Sequence, residues 1–255
     1  MMSLDFEQQV AEGAALPFSG WDFSPIASRY RTGTPPWDFV HLLQEHMRNA
    51  ASMVDLGTGG GEFLASLAPL PSTCYATEGY PPNAAVAQAR LEPLGVRVLP
   101  IGPDLRIALP DGAFNLVTSR HEAFAGSEVF RILRPGGLFI TQQVGVHNNV
   151  ELRERFGAPP VTPRNNVSSA IGLAEEISDA GFEVVEKAEA AYPSEFLDIG
   201  ALVFYLRAIP WEVPGFSVAR DIEPLHQIYR EIQQSGSFRV TSHRLLVVAR
   251  RPEGR

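Results

Sequence analysis

Met53-Val54-Asp55-Leu56-Gly57-Thr58-Gly59-Gly60-Gly61-Glu62-Phe63-Leu64 is the stretch from which the fold is read. Its first four residues form a short apolar run of the kind a buried parallel strand needs. The run breaks at Gly57 to Gly61, and a helical pattern starts near Glu62, with Phe63, Leu64 and Leu67 on one side. Strand, glycine turn and helix in that order make a ligand-binding edge. Glycines let the backbone approach a ligand closely, and a helix start offers free N–H groups to an anion.

Two familiar phosphate-binding loops are excluded. A dinucleotide fingerprint needs a glycine three residues after Gly59, where Glu62 stands. A P-loop needs a lysine that this stretch lacks. The second strand, Thr73 to Thr77, ends at Glu78, about 20 residues past the loop, the offset of a carboxylate on ribose hydroxyls. The alternative is a solvated strand-end glutamate. A third strand spans Val96 to Ile101, and Pro81-Pro82-Asn83 opens a helix between the two.

The whole pattern resembles the class I S-adenosylmethionine-dependent methyltransferases from about Ala51 to Phe182. The loop carries that family's acidic residue, Asp55, followed by G-x-G-x-G. Leu109-Pro110-Asp111-Gly112-Ala113-Phe114 is similar to its approach to strand four, with Asn115 in place of the usual aspartate, and Arg134-Pro135-Gly136-Gly137 to its turn before strand five. WDFS, GTGGGEF, RHEAF, TQQVG and DIGALVFYLRAIPW together look like a bacterial group of methyltransferase-domain proteins. The resemblance implies an α/β fold: a Rossmann-like, seven-stranded, mainly parallel sheet with an antiparallel seventh strand between strands five and six, and helices on both faces. It implies S-adenosylmethionine as cofactor and S-adenosylhomocysteine as product. The cofactor contacts would be Asp55, Gly57, Thr58, Gly59, Gly61, Glu78, Gly79, Asp104, Leu105 and Ser119.

Strand four ends at Thr118-Ser119-Arg120-His121-Glu122, facing the cleft beyond the carboxyl ends of the strands. His121, the one residue there that titrates near neutrality, is the candidate general base, and Arg120 the candidate holder of an anionic group. Both could instead support a following helix, Glu122 to Leu133. Gln142, Gln143 and Asn148 would orient a polar substrate in the same cleft, and Trp21 and Trp211 are further substrate candidates. No metal ligand is assigned.

The chain divides into residues 1–50, a helical lid segment; 51–190 with 237–255, the cofactor-binding core; and 191–236, a helical insertion that either roofs the pocket or is simple core. Met1 to Leu16 reads as polar, weakly helical and loosely ordered. Pro35-Pro36-Trp37 introduces a helix through Met47, and Tyr30 and Arg31 are the lid's polar contacts. Phe182 to Ala188 is strand six and Phe238 to Arg250 the last strand.

Composition narrows the function. The 255 residues hold 21 Lys and Arg against 29 Asp and Glu, a formal charge of −8, which disfavours free nucleic acid as the partner. Cys74, the single cysteine, excludes an internal disulfide and reads as a small core hydrophobe. The acidic N-terminus lacks a leader pattern and no stretch is long enough to span a bilayer, so a cytoplasmic monomer or homodimer is the default expectation. A small-molecule acceptor is favoured; an RNA or protein methyltransferase and a non-catalytic S-adenosylmethionine binder are the alternatives.

Overall fold

The computed structural model describes residues 5–160 and 168–254. The edge expected at residue 53 forms as drawn: strand β2 (Ser52–Leu56) is buried throughout, and helix α3 (Glu62–Ser66) follows the glycine turn. Around it stand β3 (Thr73–Glu78), β4 (Val96–Pro100), β5 (Phe114–Arg120) and β6 (Leu133–Val144), all parallel, in the order β4-β3-β2-β5-β6. The sheet continues through β8 (Phe238–Arg250), antiparallel to β6, and β7 (Glu183–Phe196), antiparallel to β8. The last strand thus inserts between β6 and β7 as expected. One short strand was not anticipated: β1 (Tyr30–Arg31) pairs with β7 at the sheet's edge, making eight strands among the described residues. Tyr30 and Arg31 therefore sit at that edge and are not cofactor-facing contacts.

Helices α2 (Phe39–Met47), α4 (Pro81–Leu91) and α3 cover one face with Leu43, Met47, Leu64 and Leu91, while α5 (Gly126–Ile132) and α7 (Ala170–Asp179) cover the other with Val129, Ile132, Leu173 and Ile177. Cys74 lies in the first of these cores, as expected of a small hydrophobe. Burial pushes its thiol up to about 12, so it stays protonated.

The ends of the chain depart from expectation. Residues 6 to 15, read as loosely ordered, form helix α1 (Phe6–Ala15) with a capping box between Asp5 and Gln8. It packs on α8 (Ile199–Ala208), which is almost wholly buried and forms a third core with Phe6, Val10 and Phe204. The two helices meet at glycines: a Cβ on Gly13 would stand 2.1 Å from the Gly200 carbonyl oxygen. Strand β7 runs eight residues past its expected end at Ala188, through Pro193, which lies short of the stretch that β1 pairs, Glu195 and Phe196. The helix expected from Glu122 starts only at Gly126, because His121 takes a left-handed backbone, φ 62, and turns the chain.

Candidate functional site

A cavity of about 830 Å³ opens above the carboxyl ends of β2, β3 and β5. That volume lies in the range of small-ligand pockets. Its floor is the glycine loop. Gly57 adopts φ 64 and Gly59 φ 63, backbone that β-carbons disfavour, and a Cβ on Gly57 would stand 2.0 Å from Cγ of Glu122. Asp55, Gly57, Thr58, Gly59 and Glu78 line it, with Arg120, His121 and Glu122 on the β5 side.

Glu78 braces the loop. Its Oε2 accepts the Gly59 N–H at 2.7 Å and its Oε1 the Tyr80 N–H at 2.8 Å. Each oxygen keeps a further lone pair for a ligand. Asp55 is buried beneath, accepting the Thr118 hydroxyl at 2.7 Å. Desolvation pushes its carboxyl up to about 6, against the opposing pull of Thr118, Thr58 and Arg120. The Thr58 Oγ1 is buried at the cavity floor beside the Asp55 carboxylate, whose charged form it favours.

Two segments stand over the cavity. Phe18 to Trp21 lies directly on the glycine loop, and residues 207 to 211 extend from the end of α8. Trp21 and Trp211 stack face to face, centroids 6.0 Å apart and planes within 7°. Within the expected insertion, α8 is buried in the core and its C-terminal end, with Pro210 and Trp211, lines the cavity.

His121 stands in a chain of polar contacts. The Trp37 indole N–H donates to Gln142 Oε1 at 2.9 Å, and Gln142 Nε2 lies 3.3 Å from His121 Nε2. Burial, then the Arg244 and Arg120 charges, hold the His121 pKa well below its usual 6.5. Arg120 lays its guanidinium over Phe63, 4.2 Å from the ring centroid.

Several expected contacts do not reach the cavity wall. Gly61 packs against Leu91, and Gly79 against Ile101. Asp104 is exposed and turned back, its Oδ1 accepting the Arg106 N–H at 3.3 Å, while Leu105 takes a left-handed φ of 56. Ser119 is fully buried, donating to the Glu122 carbonyl at 3.0 Å. Gln142 and Gln143 do not share a cleft, because successive strand residues point to opposite faces. Gln142 meets His121; Gln143 donates to Thr141 Oγ1 and the Glu122 carbonyl, bracing the turn below. Asn148 is buried, spanning Glu212 and Arg244. Conversely, Phe18, Phe63, Tyr80, Asn83 and Arg207 line the cavity and were not anticipated. Tyr80 carried a legible sign, an aromatic two residues past the strand-end glutamate.

Residues 54–141 match the family model described as "Methyltransferase domain". No curated protein matches the chain in sequence. Among solved structures, a Bacillus halodurans C-125 protein described as a candidate methyltransferase aligns with a TM-score of 0.57 at 20% identity, covering 82% of this chain and 98% of that one. YcgJ of Bacillus subtilis aligns at 0.56 and 17% identity, covering 84% and 98%. The [4+2]-cyclase SpnF aligns at 0.53 and 15% identity, covering 98% and 92%. At such identities these likenesses speak to the fold alone.

Proposed function

We propose that this chain, which belongs to the class I S-adenosylmethionine-dependent methyltransferases, transfers the methyl group to a small-molecule acceptor seated between the glycine loop and the Arg120–His121 turn. The observation that carries the reading is the site's shape: a cavity of about 830 Å³ lined by the glycine loop, Glu78, Arg120 and His121, with the stacked Trp21 and Trp211 over its rim. A cavity narrowed on that side suits a small acceptor better than a macromolecule.

The chain's residues suit the cofactor on two counts. The bare glycine backbone would take its polar tail, and the spare lone pairs on Glu78 would accept two neighbouring ribose hydroxyls. Tyr80 adds an exposed aromatic face on the same wall. Asp104 and Leu105 would join only after residues 101–109 shift. The bound cofactor supplies a methyl group on a positively charged sulfur, open to in-line displacement by the acceptor.

What remains for the protein is positioning, which is worth ~7–11 kcal/mol in well-aligned reactions. Arg120 anchors the acceptor and the tryptophans flank it at the rim. His121 is poorly placed to take a proton directly, since its Nε2 lone pair faces the Gln142 amide. Its Nδ1–H is the atom that can act, as a donor that orients the acceptor. The geometry therefore favours an acceptor that arrives without a proton to lose. The expected bounds narrow in the proposal: the lid is Phe18 to Trp21, the insertion begins after Phe196, and the core takes in α2 and the whole of β7.

Calorimetry tests the cofactor. S-adenosylhomocysteine should bind and NADH should not; the reverse result sinks the reading. Labelled S-adenosylmethionine with cell extract tests the acceptor class. Label in RNA or protein, rather than in small molecules, would overturn the small-molecule assignment.

A further inference from the structure

Nine arginines of the described residues pair with carboxylates, as an acidic chain should allow. Arg120 and Arg244, both partly buried, pair with none of the described acids. Arg120 lays its guanidinium over Phe63, and that group makes no hydrogen bond among the described residues, yet it lines the cavity. Arg244 donates to the Asn148 Oδ1 at 2.6 Å and to the His243 carbonyl at 2.9 Å, two uncharged acceptors.

Strand register puts the two cations on one face. Arg120 pairs with Gln142, and Arg244 pairs with Val144, two residues further along β6. Residues two apart on a strand share a face. Tyr192, opposite Ser242, falls on that face as well. Burial and then the charge of Arg244 lower the Arg120 pKa, so the two guanidiniums feel each other through partly dry surroundings. Asp55 offsets this only from a distance, since it forms no ion pair with Arg120 and its carboxyl accepts from Thr118.

The second cation is held in place by a buried network. Asn148 Nδ2 donates to Glu212 Oε1 at 3.2 Å, which aims the amide oxygen at Arg244, and Glu212 is ion-paired with Arg153 at 2.9 Å. A guanidinium whose face is stacked and whose N–H edge is unused is shaped for a bidentate carboxylate. Two unpaired cations in a partly desolvated place are stabilised by an anion between them.

We propose that the methyl acceptor carries a carboxylate, bound by Arg120 in the cavity with Arg244 as the second, positioning cation. This rests on the methyltransferase reading, and the test separates the two. Phenylacetate and phenylacetamide share a shape and differ in charge; their affinities are measured by saturation-transfer NMR, with and without S-adenosylhomocysteine. Phenylacetate should bind about ten-fold tighter than the amide. Arg120→Gln should erase that preference, Arg244→Gln should weaken it, and both should leave S-adenosylhomocysteine affinity within about two-fold of the parent. Should Arg120→Gln fail to fold, Arg120→Lys, which keeps charge but loses the fork, should give an intermediate preference. Equal binding of the two probes, or binding of neither, overturns the proposal. So does an Arg120 variant that keeps the preference but loses S-adenosylhomocysteine, because Arg120 would then hold the cofactor. If the parent ignores S-adenosylhomocysteine, the methyltransferase reading fails, and the carboxylate preference is judged in the ligand-free chain by the same criterion.

Discussion

The indole N–H of Trp37 donates to Oε1 of Gln142, and that one bond decides how His121 is protonated. An indole can only donate, so the amide must turn its oxygen to Trp37 and its NH₂ to His121. His121 Nε2 is then an acceptor, and the ring's proton belongs on Nδ1.

Nitrogen-detected NMR of the His121 ring should therefore find a neutral imidazole with the proton on Nδ1 at pH 6, since its pKa lies well below 6.5. Trp37→Phe frees the amide to flip and should give a mixture of tautomers. An imidazolium at pH 6, or a proton on Nε2 in the parent, contradicts the arrangement. Because the folded pKa is depressed, the stability this ring contributes is complete above about 6.5 and is lost as the pH falls.

Asp55 behaves in the opposite sense. Its folded pKa, about 6, exceeds its ordinary 3.8, so its stabilising contribution is full below 3.8 and is lost as the pH rises through 6. Asp55→Asn keeps an acceptor for Thr118 and removes the buried charge. At ~1.4 kcal/mol per tenfold change in proton affinity, the variant should be about 3 kcal/mol more stable at pH 7.5 and no more stable below pH ~3.8. The His121 trend is common to both chains and cancels. Thermal melts showing no gain at neutral pH would refute this placement.

Glu78→Ala should weaken S-adenosylhomocysteine by about 1.5–3 kcal/mol, the value of hydrogen bonds to a charged group. Glu78→Gln should be no milder. The new NH₂ would face either the Gly59 or the Tyr80 N–H, donor against donor, and disturb the loop it should brace. Titration calorimetry of both variants decides it. A parent-like affinity in Glu78→Ala would remove the ribose from Glu78.

The Arg153–Glu212 pair is buried on both sides, 6% and 8% exposed. Arg153→Met strands the carboxylate and should cost about 3–5 kcal/mol in urea unfolding. Adding Glu212→Gln removes the charge while keeping an acceptor for Asn149, so the double variant should recover most of the loss. A double variant no better than the single one rules out the charge as the cause. Since Glu212 adjoins Trp211, the single variant should also disturb the tryptophan fluorescence.

The sequence showed whatever depends on local chemistry. Gly57 and Gly59 declared a turn and Glu78 a strand-end carboxylate, while Arg134 to Gly137, expected as a turn before the strand, form the irregular start of β6, where the register jumps between Leu133 and Leu138. Long-range packing was less visible. Helix α1 looked too polar to be anchored, because its apolar residues Phe6 and Val10 are few and the surface they cover, on α8, lies nearly 200 residues away. The expected strand stopped at Ala188, because nothing local says that β8 carries the pairing on to Phe196. The opposed directions of Gln142 and Gln143 follow from strand periodicity and could have been read. The inward side of Asn148 could not, since it follows from Glu212 and Arg244 on distant segments.

Gly13 and Gly200 have a practical consequence for anyone who shortens this chain. Their contact seats the leading helix on the one that ends at the tryptophan-bearing rim, so the two parts of the cavity's cover share a single foundation. Removing the first sixteen residues would strip a greasy surface bare and unsettle the far rim, and a truncated protein that aggregates would be telling of that lost footing rather than of a trimmed tail.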